Sequence, residues 1–235
     1  MTGSKHIAGV DSLRGLMLLL MVAAHLCYDL TAFGWFPGEL YFSAPIQALI
    51  TLGAAVFILI SGAMARFSRS NVRRGIKYLT AGLLITAVTL LFPHYGIVRF
   101  GILHLLGVSA LFYAAFGRHL ERLSLQSRVM LYALLAFGSA ALTALPVDFP
   151  GAWLLGFTVN APPMADWFAI FPWLFVYLLG TVWGECLFTG RIPAWFAGWH
   201  TLLFVRTSRY ALWVYLLHQP VILGILWCVQ LLIVR

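Results

Sequence analysis

The chain has 235 residues, of which 62% are hydrophobic and only 9% are charged. Because soluble domains carry about 25% charged residues, this composition excludes a soluble globular protein and requires lipid as the surrounding solvent. The net charge of +8 raises the question of nucleic acid. The basic residues, however, lie in short loops between apolar runs, and no nucleic-acid recognition motif occurs, so we predict no nucleic-acid partner.

Seven apolar segments approach the length of a membrane-spanning helix, which needs about 20 predominantly apolar residues. They cover residues 11–33, 44–66, 75–93, 97–117, 127–146, 167–188 and 208–233. We therefore predict an all-α fold, a polytopic transmembrane helix bundle of about seven spans, forming one domain over residues 1–235. No small-residue cleavage pattern follows the first segment, which we interpret as a retained helix and not as a signal peptide.

The distribution of lysine and arginine predicts the orientation of these spans. Thirteen of the 15 basic residues lie on one side of the predicted membrane, and only Arg99 and Arg235 lie on the other. Cytoplasmic loops carry the excess of positive charge in membrane proteins. We therefore predict a cytoplasmic N-terminus and a C-terminus outside.

The first segment carries four ionisable residues on one helical face. At 100° per residue, Asp11, Arg14, His25 and Asp29 fall within a sector of about 60°. Asp11 and Asp29 are about 27 Å apart along the axis, one near each end of the predicted span. Because ionisable groups inside a membrane are costly and usually mark function, this face is a candidate site.

His25 and Asp29 are one helical turn apart in the outer half of this segment. At that spacing, we expect the carboxylate to accept a hydrogen bond from the imidazole, which would orient His25 as a general base. The alternative is a hydrogen-bonded pair that only fastens helices together.

Three further polar residues lie inside apolar segments. His104 is flanked by glycines at i±3, where another helix or a substrate could approach closely. In the last segment, His218 and Gln219 precede Pro220, which cannot donate to the carbonyl of Leu216, so we expect a polar pocket there. A satisfied structural network remains the alternative at each position. The three cysteines have no metal-binding spacing, and we predict no metal site.

Several motifs resemble two related families of membrane acyltransferases. One is the heparan-α-glucosaminide N-acetyltransferase family with its short bacterial relatives, and the other is the acyltransferase type 3 family. Both open with an Asp-x-x-Arg-Gly-like motif and a polar residue fourteen places later, as at Asp11, Arg14 and His25. The stretches Phe57–Gly62, Gly101–Gly107, Phe171–Gly180 and Ser208–Pro220 also resemble these families.

The resemblance implies a bacterial inner-membrane enzyme that transfers an acyl group from cytoplasmic acetyl-CoA to an outer acceptor. The acceptor would be a hydroxyl or amine of a glycan or another envelope component. His25 and Asp29 would then be catalytic, while Asp11, Arg14, His104, His218 and Gln219 would bind the substrates. Acetyl-CoA would act as a co-substrate, and no cofactor would be bound permanently. The other expected partners are membrane lipid and either a second copy of the chain, in a homo-oligomer, or another membrane protein.

The chain departs from the larger heparan enzymes in two ways. It has about seven predicted spans where they have around ten or more, and their loop histidine credited with catalysis has no counterpart here. A non-catalytic membrane scaffold therefore stays open. A proton-coupled transporter would use the polar face as a relay, and a haem protein would use two of His25, His104 and His218 as axial ligands.

Overall fold

The structure is a computed structural model that describes residues 7–233, and these residues fold into helices joined by short connections. The helices are α1 (Ala8–Ala32), α2 (Gly38–Tyr41), α3 (Ala44–Ala65), α4 (Asn71–Leu91), α5 (Ile102–Leu120), α6 (Leu125–Thr143), α7 (Ala152–Leu155), α8 (Trp173–Phe188), α9 (Ala194–Gly198), α10 (Leu202–Arg209) and α11 (Ala211–Ile233). A single 3₁₀ turn at Pro93–Tyr95 follows α4. The described residues contain no β-strand, only an isolated bridge between Phe100 and Trp167. The prediction of an all-α fold is confirmed.

Each of the seven predicted segments coincides with a helix. Within residues 7–233, five helices are long and apolar enough to cross a membrane, namely α1, α3, α4, α6 and α11. α8 is apolar but has only 16 residues, and α5 carries Arg118 and His119 in its last turn. The count of seven spans and the orientation of the termini stay predictions, and Lys5 and Arg235 lie outside the described residues.

Local signals explain where several helices begin. The hydroxyl of Ser70 accepts a hydrogen bond from the backbone N–H of Arg73, and Ser124 does the same for Ser127. Side-chain oxygens at these positions satisfy amides that have no partner within the helix. At the start of α5, the carboxylate of Asp166 accepts from the backbone N–H of Ile102.

The chain separates into two compact groups of helices, and the first contains the residues up to Phe57 together with those from Ile192 onward. Its centre is α1, which packs against α9, α10 and α11. A Cβ added to Gly9 would overlap the backbone carbonyl of Phe196, and one added to Gly15 would overlap that of Phe204. These glycines therefore bring α1 into backbone contact with the segments after residue 192.

The second group runs from Ile58 to Arg191 and contains the end of α3 with α4 to α8. Gly62 lies against the carbonyl of Tyr177, and Gly180 lies against that of Leu59, so α3 and α8 touch through their backbones. α4 and α5 form another close pair, with Gly107 against the side chain of Leu79. The prediction of one domain over residues 1–235 is not tested by this division and stays a prediction.

Candidate active site

The polar face predicted on α1 is the face that packs against α10 and α11. At one end of α1, Arg14 contacts Ser208, and at the other end Asp29 contacts Gln219. The ring of His25 meets the ring of His218 edge to face, with 4.8 Å between the ring centroids. The structure therefore brings four predicted residues together in one cluster, and we call His25, Asp29, His218 and Gln219 the histidine cluster.

Backbone carbonyls define the protonation of both histidine rings. Nδ1 of His25 lies 2.9 Å from the carbonyl oxygen of Met21, and Nδ1 of His218 lies 2.7 Å from that of Tyr215. Since a carbonyl oxygen only accepts, we assign the proton of each neutral ring to Nδ1. Each Nε2 atom then carries a lone pair. Both histidines consequently have the tautomer in which Nε2 can accept a proton.

Asp29 is bound by Gln219 and not by His25. The amide nitrogen of Gln219 lies 3.0 and 2.9 Å from the two carboxylate oxygens of Asp29, which is only 4% exposed. The expected hydrogen bond between Asp29 and His25 is therefore wrong. The carbonyl of Met21, one turn earlier in the same helix, accepts the hydrogen bond of the imidazole, and the side-chain amide of Gln219 on α11 donates to the carboxylate.

Two acceptor atoms in the histidine cluster are buried without a hydrogen-bond partner. They are Nε2 of His218 and the side-chain oxygen of Gln219. Buried polar atoms in native proteins are nearly always satisfied, and an unsatisfied one costs about 1–3 kcal/mol. Two such acceptors on neighbouring residues are complementary to a ligand that supplies N–H or O–H donors.

At the other end of α1, the ion pair of Asp11 and Arg14 is held by Ser208. Arg14 donates from Nη2 to Asp11 at 2.8 Å and from Nε to the Ser208 hydroxyl at 2.7 Å. Ser208 also donates to Asp11 at 3.2 Å. Asp11 and Arg14, which were predicted to share one helical face, therefore form an ion pair. The sequence assigns no role to Ser208, which begins the last family-like stretch, because its distance from α1 in sequence hides the contact.

His104 has no nitrogen left for a substrate. Its Nδ1 accepts from the backbone N–H of Gly101 at 3.2 Å, and its Nε2 lies 3.3 Å from the hydroxyl of Thr86. The residue is 4% exposed and its ring stacks on Phe100. The expectation that His104 binds substrate is not supported by this geometry, which is that of a structural histidine closing the start of α5.

Sequence reasoning missed a charged network in the second group of helices, which we call the arginine–glutamate network. Its members are Arg66, Tyr113, Glu121, Arg128 and Glu185. Glu185, which by sequence is merely at the end of the sixth segment, contacts both arginines, at 3.2 Å for Arg66 and 2.7 Å for Arg128. The sequence shows basic and acidic residues near the helix ends, but it does not show which of them form ion pairs.

Burial raises the pKa of Glu121 in this network, but its neighbours outweigh that effect. A hydrogen bond from the Tyr113 hydroxyl and the charge of Arg66 together hold the pKa of Glu121 below its ordinary value of 4.5. The carboxylate is therefore ionised at neutral pH and balances Arg66.

The geometry also bears on metal and haem binding. Within residues 7–233, no three His, Cys, Asp or Glu side chains converge as metal ligands. The rings of His25 and His218 touch edge to face, so a porphyrin plane does not fit between them. His104 has both nitrogens engaged. Axial haem ligation by two of these three histidines is therefore incompatible with the described structure.

The apolar helices and the polar groups buried among them define an integral membrane protein with an internal polar site. Residues 7–220 match the family model described as Heparan-alpha-glucosaminide N-acetyltransferase, catalytic. Because the match covers most of the chain, the protein belongs to this family of membrane acetyltransferases, and the predicted resemblance is confirmed. No curated protein and no solved structure matches the chain.

Proposed function

We propose that the protein transfers an acetyl group from cytoplasmic acetyl-CoA to an amine or hydroxyl of an extracytoplasmic glycan or envelope component. Family membership supports acetyl transfer. The observation that carries the acceptor assignment is the pair of buried, unpartnered acceptors, Nε2 of His218 and the side-chain oxygen of Gln219. An amine or hydroxyl acceptor supplies the donors that both atoms lack.

The donor would bind at the Arg14 end of α1. A guanidinium suits a phosphate or pyrophosphate, and Asp11 with Ser208 already fixes its orientation. Arg14 and His25 are 11 residues apart on α1, or about 16 Å along the axis, a length that the pantetheine arm of coenzyme A can cover.

In the proposed step, an Nε2 lone pair of the histidine cluster removes a proton from the amine or hydroxyl of the acceptor. The nitrogen or oxygen of the acceptor then attacks the thioester carbonyl carbon. The new N–C or O–C bond forms as the C–S bond breaks, and the resulting imidazolium returns its proton to the coenzyme A thiolate. We assign the base to His218, because its Nε2 is buried and unpartnered. His25 faces His218 across 4.8 Å, where it would position the acceptor or stabilise the charged ring.

Two other functions receive less support. A proton-coupled transporter needs a continuous polar path, but Leu18 lies between Arg14 and His25 along α1 and is buried at 1% exposure. A scaffold without catalysis gives no reason for two buried acceptors to lack partners. Participation of a second copy or of a partner membrane protein stays a prediction.

Acetyl-CoA binding to the detergent-purified full chain, followed by calorimetry, tests the donor half of this proposal. We expect saturable binding that is lost in Arg14→Gln and retained in Arg122→Gln, because Arg122 is exposed on a connection after α5. The thermal midpoint of each variant shows whether it is folded. Absence of binding by folded wild-type protein would overturn the proposal.

Acetyl transfer to glucosamine in proteoliposomes tests the acceptor half, with N-acetylglucosamine as the matched sugar that has no free amine. Transfer to glucosamine alone identifies an amine acceptor, whereas transfer to both sugars identifies a hydroxyl. Binding of acetyl-CoA without transfer to either sugar would contradict the assignment of these simple acceptors. The acceptor would then have to be a larger envelope component.

A further inference from the structure

The segment around the start of α4 carries four cations within nine residues and no counter-charge. Within residues 7–233, none of these four side chains pairs with a carboxylate, although Arg66 and Arg128 each contact Glu185. The four are Arg69, Arg73, Arg74 and Lys77. Their charge is therefore available to an anion from outside the chain.

Two of these cations begin a continuous exposed stripe on α4. At 100° per residue, Arg73, Lys77, Leu84, Val88 and Leu91 fall within a sector of about 60°. All five are exposed, and Leu91 is the most exposed of the apolar three at 76%. The stripe thus has a cationic end and an apolar end.

The stripe is longer than one leaflet of a membrane, and only its middle part lies at acyl-chain depth within that leaflet. From Lys77 to Leu91 there are 14 residues, or about 21 Å along the helix axis. The hydrocarbon of one leaflet is about 15 Å thick, which is half of a bilayer core of about 30 Å. When Lys77 lies at headgroup depth, Leu84 and Val88 lie about 11 and 17 Å further along α4, which reaches about to the bilayer centre, and Leu91 continues into the other leaflet, as expected for a helix long enough to cross the membrane.

Arg74 adds positive charge beside this stripe, although its guanidinium group is already hydrogen-bonded within the protein. Its Nη2 donates to the carbonyl oxygen of Ser61 at 2.7 Å and to the Ser61 hydroxyl at 2.8 Å, which joins α4 to α3. These partners are neutral, so the guanidinium charge remains uncompensated. Its field adds to that of Arg73 and Lys77 at the same end of α4.

We propose that this stripe is a binding site for an anionic phospholipid, with the headgroup phosphate on Arg73 and Lys77 and an acyl chain along Leu84 and Val88. A zwitterionic lipid carries its own counter-charge beside the phosphate, so it gains less from cations without partners. Acetyl-CoA shares the phosphate chemistry but has no long acyl chain to cover the apolar end.

The test is a lipid titration of the purified full chain in nonionic detergent, read by the thermal midpoint. Ligand that binds only the folded state raises this midpoint in a saturable manner. We expect dioleoyl phosphatidylglycerol to stabilise the protein and dioleoyl phosphatidylcholine to have little effect. In the wild type, raising the salt from low to high ionic strength should weaken the phosphatidylglycerol effect alone.

The variant Arg73→Gln/Lys77→Gln should weaken the apparent phosphatidylglycerol affinity about 30-fold, since each cation near an anionic headgroup contributes a factor of about five. Both side chains are exposed and form no ion pair within residues 7–233, so folding should be retained. The matched control Arg118→Gln/Arg122→Gln removes the same charge from two other exposed positions and should leave the affinity within about twofold.

Three results would overturn this assignment. They are equal stabilisation by the two lipids, an equal loss in the control variant, and acetyl-CoA stabilisation that disappears in Arg73→Gln/Lys77→Gln while the lipid effect persists. The last result would assign the segment to the acetyl donor. Because lipid binding does not require turnover, failure of acetyl transfer leaves this test unaffected.

Discussion

The histidine cluster and the arginine–glutamate network differ in how their polar groups are partnered. In the network, the carboxylates of Glu121 and Glu185 face guanidinium groups, and the atom left without a partner is a donor, Nε of Arg128. In the cluster, the only carboxylate is held by a neutral amide, and the two atoms left over are acceptors.

This difference separates a structural region from a candidate functional one. Opposite charges that pair across helices connect those helices and leave few polar atoms free to bind a ligand. Buried acceptors that lack donors cost stability in the free protein, and a substrate with N–H or O–H groups would recover that cost. Substitutions at His218, Glu185 and Glu121 test this comparison, and a substitution at His104 tests a histidine outside both regions; the largest expected effect comes first.

Replacing His218 with Asn should reduce acetyl transfer about 10²–10⁴-fold, the usual contribution of a general base. Stability should change little, because Nε2 of His218 has no partner to lose and the Asn side-chain amide can donate to the Tyr215 carbonyl in place of Nδ1. The measurements are initial rates in proteoliposomes and thermal midpoints, with His200→Asn as an exposed control. A His218→Asn protein that keeps wild-type turnover would remove the base from our mechanism.

Replacing Glu185 with Gln should destabilise the protein by about 3 kcal/mol without affecting the chemistry of folded molecules. Arg128 is only 5% exposed in its side chain and would lose its carboxylate, which leaves a buried cation. Unfolding titrations in mixed micelles measure this effect, with exposed Glu39→Gln as the control. Equal stability of the two variants would show that the network contributes little.

Replacing His104 with Phe should cost about 2 kcal/mol, because the ring volume is kept while the backbone N–H of Gly101 loses its acceptor in a buried position. The same unfolding titration in mixed micelles measures this loss of stability, with His119→Phe at an exposed site as the control. We expect the folded fraction to bind acetyl-CoA normally. A selective loss of turnover at full stability would return His104 to the candidate site.

The smallest effect is the pH dependence contributed by Glu121, whose side chain is 35% exposed. Its folded pKa lies below the ordinary value of 4.5, so the unfolded state binds the proton more readily. The stabilisation is complete above pH 4.5 and is lost as the pH falls through the folded pKa. Thermal midpoints between pH 7 and the acid limit should fall less steeply in Glu121→Gln. Parallel curves would contradict this linkage.

Local patterns predicted much of the fold. Every predicted apolar segment became a helix, and the 3.6-residue period placed Asp11, Arg14, His25 and Asp29 on the face of α1 that packs against α10 and α11. The same reasoning failed where two groups compete for one side chain. His25 and Asp29 have the spacing of a hydrogen-bonded pair, but Met21 and Gln219 provide better placed partners.

Sequence by itself determined the membrane setting, the helices and the polar face of α1, because hydropathy and helical period are properties of neighbouring residues. Only the tertiary structure decided which polar side chains form hydrogen bonds with each other. Gln219 reaches Asp29 from 190 positions away, and Ser208 reaches Asp11 from 197. Tertiary packing also satisfied His104 and left His218 with a free lone pair, although the two histidines lie in similar apolar segments. Hydrogen bonds depend on atomic positions that folding brings together, and composition and spacing do not contain those positions.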